Sequence, residues 1–271
     1  VTSGFARRVA SDLAKSAAMA IGPTRRRYLE ARRRKGYNPE VDRPEYARSV
    51  FERHRDAILR HRAALGDVLE VGPGSNVAVA ALFLREGAPR AASIDIERFL
   101  QDNETLYKTL GVDSLAAQVE YLAPAPIESV PFSDASFDVI LSHACFEHFA
   151  DPALAIREIA RLLRPGGVTT HQIDLRDHAD FSNPLMFLRY PDWLWALVMS
   201  PRLSPTNRWR ASDFVAEFER AGLAVHELHI TDRIEVTSEQ RRRFSRRFQR
   251  SDLADLGVLG VFLVATKPDL R

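Results

Sequence analysis

Apolar positions along this chain follow two different rhythms. Up to about residue 64 they recur at helical spacing: between Pro44 and Ala64, Tyr46, Ala47, Val50, Phe51, Ala57 and Ile58 fall on one face. Breaks at Gly22-Pro23 and Gly36–Pro39, beside arginine-rich runs, divide this part into helices. From Asp67 onward short apolar runs alternate with helical patterns. Strands are expected at 67–71, 91–96, 119–122, in FDVILSH (137–143), in VTTHQIDL (168–175), in LAVHELHIT (223–231) and in GVLGVFLVATK (257–267). Helices are expected at 75–86, 97–110 and 212–221. Another should open at Asp151-Pro152, bury Ile156, Ile159, Ala160 and Leu163, and stop at the RPGG of 164–167.

Alternation of this kind predicts an α/β fold, a doubly wound, mostly parallel sheet with helices on both faces. Residues 1–64 form an N-terminal helical cap and 65–271 the main domain. The alternation fails between about 176 and 210, a proline-rich insertion that holds Trp193, Trp195 and Trp209. With 45% apolar and 27% charged residues, the chain has the material for one sizeable core. A net charge of +2 gives no global field to draw nucleic acid. One cysteine, Cys145, excludes an internal disulfide and fits a reducing cytoplasm. No apolar run is long enough to span a membrane, and no signal core is visible near the N-terminus. An opening Val1 is consistent with a bacterial start codon read as valine.

The loop after the first strand, LEVGPGSN (69–76), carries Gly72 and Gly74, but Val77 stands where a dinucleotide loop needs its third glycine. A phosphate loop would end in Gly-Lys-Ser/Thr, also absent. Acid-x-Gly-x-Gly remains, with Glu70 just upstream. The glycines allow close backbone approach, and the acid suits a ligand with positive charge. Asp95 closes the second strand, 23 positions after Gly72, where an acid commonly accepts hydrogen bonds from ribose hydroxyls. Together these features predict a nucleoside site.

VLEVGPGSN, IDI, VPFSDASFDVILS, EH and LLRPGG, in this order across about 65–175, resemble the class I S-adenosylmethionine-dependent methyltransferases. The resemblance implies a seven-stranded Rossmann-like sheet with S-adenosylmethionine as cofactor. Glu70, Gly72 and Gly74 would line its methionine end, Asp95 its ribose, and Ile96 its adenine. Ser142 would join them at the end of the fourth strand. Pro126 replaces the aspartate that usually meets the adenine amino group, leaving the Ile127 backbone and Glu128 for that contact.

His143 lies at the carboxyl edge of the sheet, where ligands of such folds bind, and is the expected general base for a hydroxyl acceptor. Glu147 and His148 follow as further catalytic candidates. With Asp174 or His178 they are also candidate ligands of a divalent metal such as Mg2+; the competing reading of His148 is a structural hydrogen bond. HQIDLRDH (171–178), the aromatic insertion and TNRWRASDF resemble bacterial polysaccharide and sugar O-methyltransferases, among them the actinobacterial methylmannose type. This resemblance implies a sugar or oligosaccharide acceptor, contacted by Asp174, His178, Asn207 and Arg208. Tyr190, Trp193, Trp195 and Trp209 would stack on sugar rings or form the lid's own core. The alternatives are a small natural product, quinone or lipid acceptor, an RNA acceptor, or cofactor binding without catalysis. The arginines of 241–250 are expected on one helix docked by Phe244 and Phe248, its charged face in solvent rather than on RNA. Arg25–Arg27 and Arg32–Lys35 are a solvated face or a contact in a homodimer.

Overall fold

The computed structural model describes residues 2–35, 40–202 and 205–269. The turn expected at 36–39 and the side chains of Arg32–Lys35 lie outside the described residues. Helices α1 (Thr2–Ala20), α2 (Gly22–Lys35) and α3 (Pro44–Leu59) precede the sheet. Its strands are β1 (Val68–Val71), β2 (Ala91–Ile94), β3 (Glu120–Leu122), β4 (Phe137–His143), β5 (Leu163–Asp174), β6 (Ala224–Arg233) and β7 (Val258–Thr266). They form one seven-stranded sheet in the order β3-β2-β1-β4-β5-β7-β6, with only β7 antiparallel to its neighbours. The central strands are buried on both faces, which explains why β7 reads as a nearly continuous apolar run and why β1 is apolar apart from Glu70.

Helices α4 (Ala78–Arg85), α5 (Glu104–Leu110), α6 (Asp113–Ala116), α7 (Pro152–Leu162), α8 (Asp192–Met199), α9 (Ala211–Arg220), α10 (Ser238–Arg242) and α11 (Leu253–Leu256) complete the fold. Two core layers flank the sheet. One joins α3 and α4 to the sheet through Phe51, Ile58 and Phe83; the other joins α7 and α9 through Ile156, Ile159 and Phe214. Helix α7 starts as its sequence dictates. Pro152 takes the first turn, and Asp151 Oδ1 accepts a hydrogen bond from Leu154 N at 3.0 Å.

Three expectations change. The helix expected at 75–86 starts only at Ala78, because Ser75 Oγ and Asn76 Nδ2 are drawn to Asp42 Oδ1, at 2.8 and 3.1 Å. The helix expected at 97–110 starts only at Glu104. Upstream, Gln101 N bonds Ser75 O at 2.9 Å and Asn103 Nδ2 bonds Asp42 Oδ1 at 3.2 Å, and these contacts compete with helix formation. The arginine-rich run forms only the five-residue α10. Beyond it the chain folds back in turns, with Ser245 N bonded to Leu188 O at 2.8 Å, yet Phe244 and Phe248 are buried.

The insertion forms a third small core, in which Phe187, Tyr190, Trp195, Val198 and Phe248 pack together and Phe5, Val9 and Leu13 of α1 join them. Buried Asp12 of α1 accepts from Tyr190 Oη at 2.8 Å and is paired with Arg8 and Arg202. Among the described residues no helix is long and apolar enough to cross a membrane.

Candidate active site

A cavity of about 560 Å3 opens at the carboxyl ends of β1, β2, β4 and β5. Gly72 and Gly74 both adopt positive φ, +76° and +73°, which only glycine reaches without strain. They face different neighbours. A Cβ on Gly72 would sit 2.5 Å from Cys145 Sγ, whereas one on Gly74 would meet no protein atom within 4 Å and would occupy the space offered to a ligand. Cys145 is thus the packing partner of the loop, and burial pushes its thiol well up, away from nucleophilic chemistry.

Two buried carboxyls flank the loop. Glu70 accepts a hydrogen bond from Ser93 Oγ at 3.2 Å, and burial raises it to about 7. Asp95 Oδ2 accepts from Gly74 N at 3.1 Å, and burial raises this carboxyl to about 6. Desolvation is the largest cause in both cases, so a cation or further hydrogen-bond donors at the cavity would favour their ionised forms. Ile96 lines the cavity although it is 50% exposed, leaving a free apolar surface suited to a flat ring. Ile127 and Glu128 line the opposite wall behind Pro126, positioned by the hydrogen bond from Ala125 N to Asp95 O at 2.7 Å.

The far end of the cavity is built by three segments. From β4 comes His143, whose Nδ1 lies 3.3 Å from His54 Nε2; His54 Nδ1 in turn lies 2.7 Å from Thr170 Oγ1. Burial, aided by Arg53, lowers His143 to about 4. Such an imidazole stays neutral at physiological pH but takes a proton poorly, contrary to the expectation of a tuned base. After β4 the chain reverses at Ala144 (φ 51°), and the turn Phe146–His148 brings Glu147 and His148 over the sheet edge. From the end of β5 come Asp174, Arg176 and His178. Asp174 is held below the usual carboxylate range by Arg176, which donates to both its oxygens at 2.6 and 2.9 Å. Buried Glu147 has neither oxygen hydrogen-bonded, and burial raises it to about 8. The side chains that converge are Glu147, His148 and His178, with ligating atoms within 4.8 Å of one another; Asp174, engaged by Arg176, is not among them.

Several expected acceptor contacts lie elsewhere. Arg208 is buried against Tyr190 O, Phe187 O and Asp192, between the rings of Trp195 and Phe248, and does not line the cavity. Asn207 donates to Phe146 O and Phe149 O, at 2.8 and 3.2 Å, and so clamps the turn bearing Glu147. Ser142, paired in register with Val71, is buried with its Oγ 2.8 Å from His171 Nδ1 and does not line the cavity. Tyr190 and Trp195 are core, Trp209 packs on Phe214, and exposed Trp193 is not at the cavity. Arg25–Arg27 are exposed on α2.

Some lining residues had no motif to announce them. Val41, Tyr46 and Val50 from the N-terminal segment close one wall, and Phe181 another. His54, behind His143, was readable in part: Ala47, Phe51, His54 and Ile58 share one buried face of α3.

Residues 69–170 match the family described as a methyltransferase domain. The seven-stranded sheet, with β7 antiparallel, has the Rossmann-like methyltransferase fold, and residues 69–170 resemble a methyltransferase domain. S-adenosylmethionine is the cofactor of that domain class. The domain is 34% identical over 100 residues to a sarcosine/dimethylglycine N-methyltransferase of Halorhodospira halochloris, covering 37% of this chain and 34% of the relative. The chain is 29% identical over 187 residues to a ubiquinone biosynthesis O-methyltransferase of Xylella fastidiosa, covering 69% of this chain and 70% of the relative. The matched segments span about half or less of the first curated relatives, 47% of Escherichia coli YafE and 34% of the Halorhodospira enzyme. Among solved structures, a sarcosine dimethylglycine methyltransferase described as putative, from Galdieria sulphuraria, superposes with a TM-score of 0.56 at 17% identity, covering 86% of this chain and 92% of that one. That likeness concerns the methyltransferase fold.

Proposed function

We propose that this protein transfers a methyl group from S-adenosylmethionine to an oxygen or nitrogen of a small-molecule acceptor. The observation that carries the reading is one continuous cavity. It joins the Gly72–Gly74 loop, Glu70 and Asp95 to the His143, Glu147 and His178 end, and its size is ordinary for a small-molecule pocket. At one end Asp95 would accept from the ribose hydroxyls, Ile96 and the Ile127 segment would enclose the adenine, and Glu70 would face the cationic methionine portion. At the other, a lone pair on the acceptor attacks the methyl carbon as the carbon–sulfur bond breaks. S-adenosylhomocysteine leaves, and the acceptor's proton passes to solvent. His143 serves as a hydrogen-bond acceptor that orients the substrate; a group near 4 is too weak to be the base.

A sugar acceptor has less support. The tryptophans that would stack on it are absent from the cavity walls, and the relatives above are named for a methylated glycine and a quinone pathway. Radiolabelled methyl transfer from S-adenosylmethionine to a panel of small phenols, methylated glycines, other amines and oligosaccharides tests the reading. Label is expected in a phenol or amine. Label in oligosaccharides alone, or none anywhere despite tight cofactor binding, would refute it.

Cofactor affinity should also depend on pH. Glu70 at about 7 and Asp95 at about 6 lose their charge as pH falls, and a cationic ligand favours their ionised forms. Affinity should therefore drop about tenfold from about pH 8 to about pH 6. Calorimetry should find proton release on binding near pH 6.5; a flat profile would show that neither carboxyl meets the charge.

A further inference from the structure

We propose that Glu147, His148 and His178 bind a divalent transition-metal ion of the Zn2+ or Mn2+ kind at the acceptor end of the cavity. Their ligating atoms lie within 4.8 Å of one another. Each imidazole is set from behind by a backbone carbonyl. His148 Nδ1 lies 3.2 Å from Pro205 O, and His178 Nδ1 lies 3.0 Å from Arg176 O. A carbonyl only accepts, so each ring carries its proton on Nδ1 and presents the lone pair of Nε2, the arrangement that orients a metal-binding histidine.

The second observation is independent of this clustering. Glu147 is 2% exposed, and neither of its oxygens has a hydrogen-bond partner. A carboxyl group buried in that condition is costly unless a cation satisfies it. Among the described residues, the backbone of Glu147 and Asp174 and the Arg176 guanidinium lower its pKa without forming a hydrogen bond to it. Arg176 is committed to Asp174, and His178 Nε2 stands 3.8 Å from Glu147 Oε1, beyond hydrogen-bond reach. The turn is also held in place, with Asn207 N donating to Glu147 O at 2.8 Å and Asn207 Nδ2 to Phe146 O at 2.8 Å.

The donor set decides the kind of metal. Two imidazoles and one carboxylate suit Zn2+, Mn2+ or Fe2+, whereas Mg2+ prefers oxygen donors throughout. Three protein ligands leave a coordination position facing the cavity, for water or for an oxygen or nitrogen of the acceptor. That role for the acceptor rests on the methyl-transfer reading; the metal site itself does not.

The test uses Zn2+ alone, titrated into metal-free protein without cofactor or acceptor, so its outcome is separate from the fate of the methyl-transfer reading. One equivalent should bind with a Kd of about 1 μM or tighter. Glu147→Gln and His178→Ala should each weaken it at least about thirtyfold. Far-UV circular dichroism checks that both variants are folded. His229→Ala, in the separate surface cluster with Glu227 and His61, should change nothing. In the wild-type protein, bound Co2+ should give visible d–d absorption that is displaced by Zn2+ and not by millimolar Mg2+. The proposal is overturned by an absence of saturable Zn2+ and Co2+ binding, by binding that survives both site substitutions, by binding lost in His229→Ala, or by Mg2+ competing on equal terms.

Discussion

Replacing Asp95 with alanine is expected to weaken S-adenosylmethionine binding about a hundredfold, roughly 3 kcal/mol, the worth of two hydrogen bonds to a charged acceptor. The carboxyl sits at the carboxyl end of β2, faces the cavity, and already holds the glycine loop through Gly74 N. The loss should come without destabilisation. Burial raises Asp95 to about 6, so the folded state disfavours its charge. The resulting penalty is absent below the unfolded carboxyl's pKa of about 4 and complete once pH exceeds about 6. Asp95→Asn, which removes the charge and keeps the shape, should therefore raise the thermal midpoint of the cofactor-free protein at neutral pH while still weakening binding, a common trade at functional sites. Calorimetry and thermal melts on both variants decide the matter. A binding change of less than about threefold, or a loss explained by unfolding, would remove Asp95 from the cofactor site.

Arg210→Ala is the substitution expected to do most harm to the fold. The side chain is 1% exposed, and burial lowers its guanidinium to about 10. Its donors go to Leu175 O at 2.8 Å, Leu256 O at 3.1 Å and Val258 O. These carbonyls belong to the exit of β5 and to the junction of α11 with β7, so one side chain ties together two stretches about eighty positions apart in sequence. Alanine leaves a cavity and strands three carbonyls. A cost of about 3–5 kcal/mol follows, seen as a fall of roughly 10 °C in Tm. A fall of under about 3 °C would show that water substitutes for the guanidinium.

How much of this was readable in the sequence depends on the range of the interaction that decides each feature. The central strands were readable because burial on both faces leaves an apolar run, as in β7. Gly72, Gly74 and Asp95 were readable because a tight turn and a strand end impose residue types at fixed spacing. The starts of α4 and α5 were not, because Asp42, more than thirty positions before Ser75, draws Ser75, Asn76 and Asn103 out of helical pairing. The acceptor side was readable only as a set of candidates. Arg208 and Asn207 carry the same groups whether they meet a ligand or backbone carbonyls, and only the fold shows that they meet carbonyls. His143 lines the cavity at the end of β4, and burial there lowers the proton affinity that its residue type suggested.

The docking of α1 on the insertion also bears on how the protein is made. Asp12 meets Tyr190 and Arg202, 178 and 190 positions away. During synthesis the first helix must therefore wait, with its carboxylate and the apolar stripe of Phe5, Val9 and Leu13 still exposed to water, until the insertion has left the ribosome. By then β1 to β4 and their helices are complete. The β1–β4 side of the cavity can form while the nascent chain is still growing, and the core shared by α1 and the insertion closes only when these two distant parts meet. A chaperone that shields amphipathic helices should accordingly engage this protein through α1.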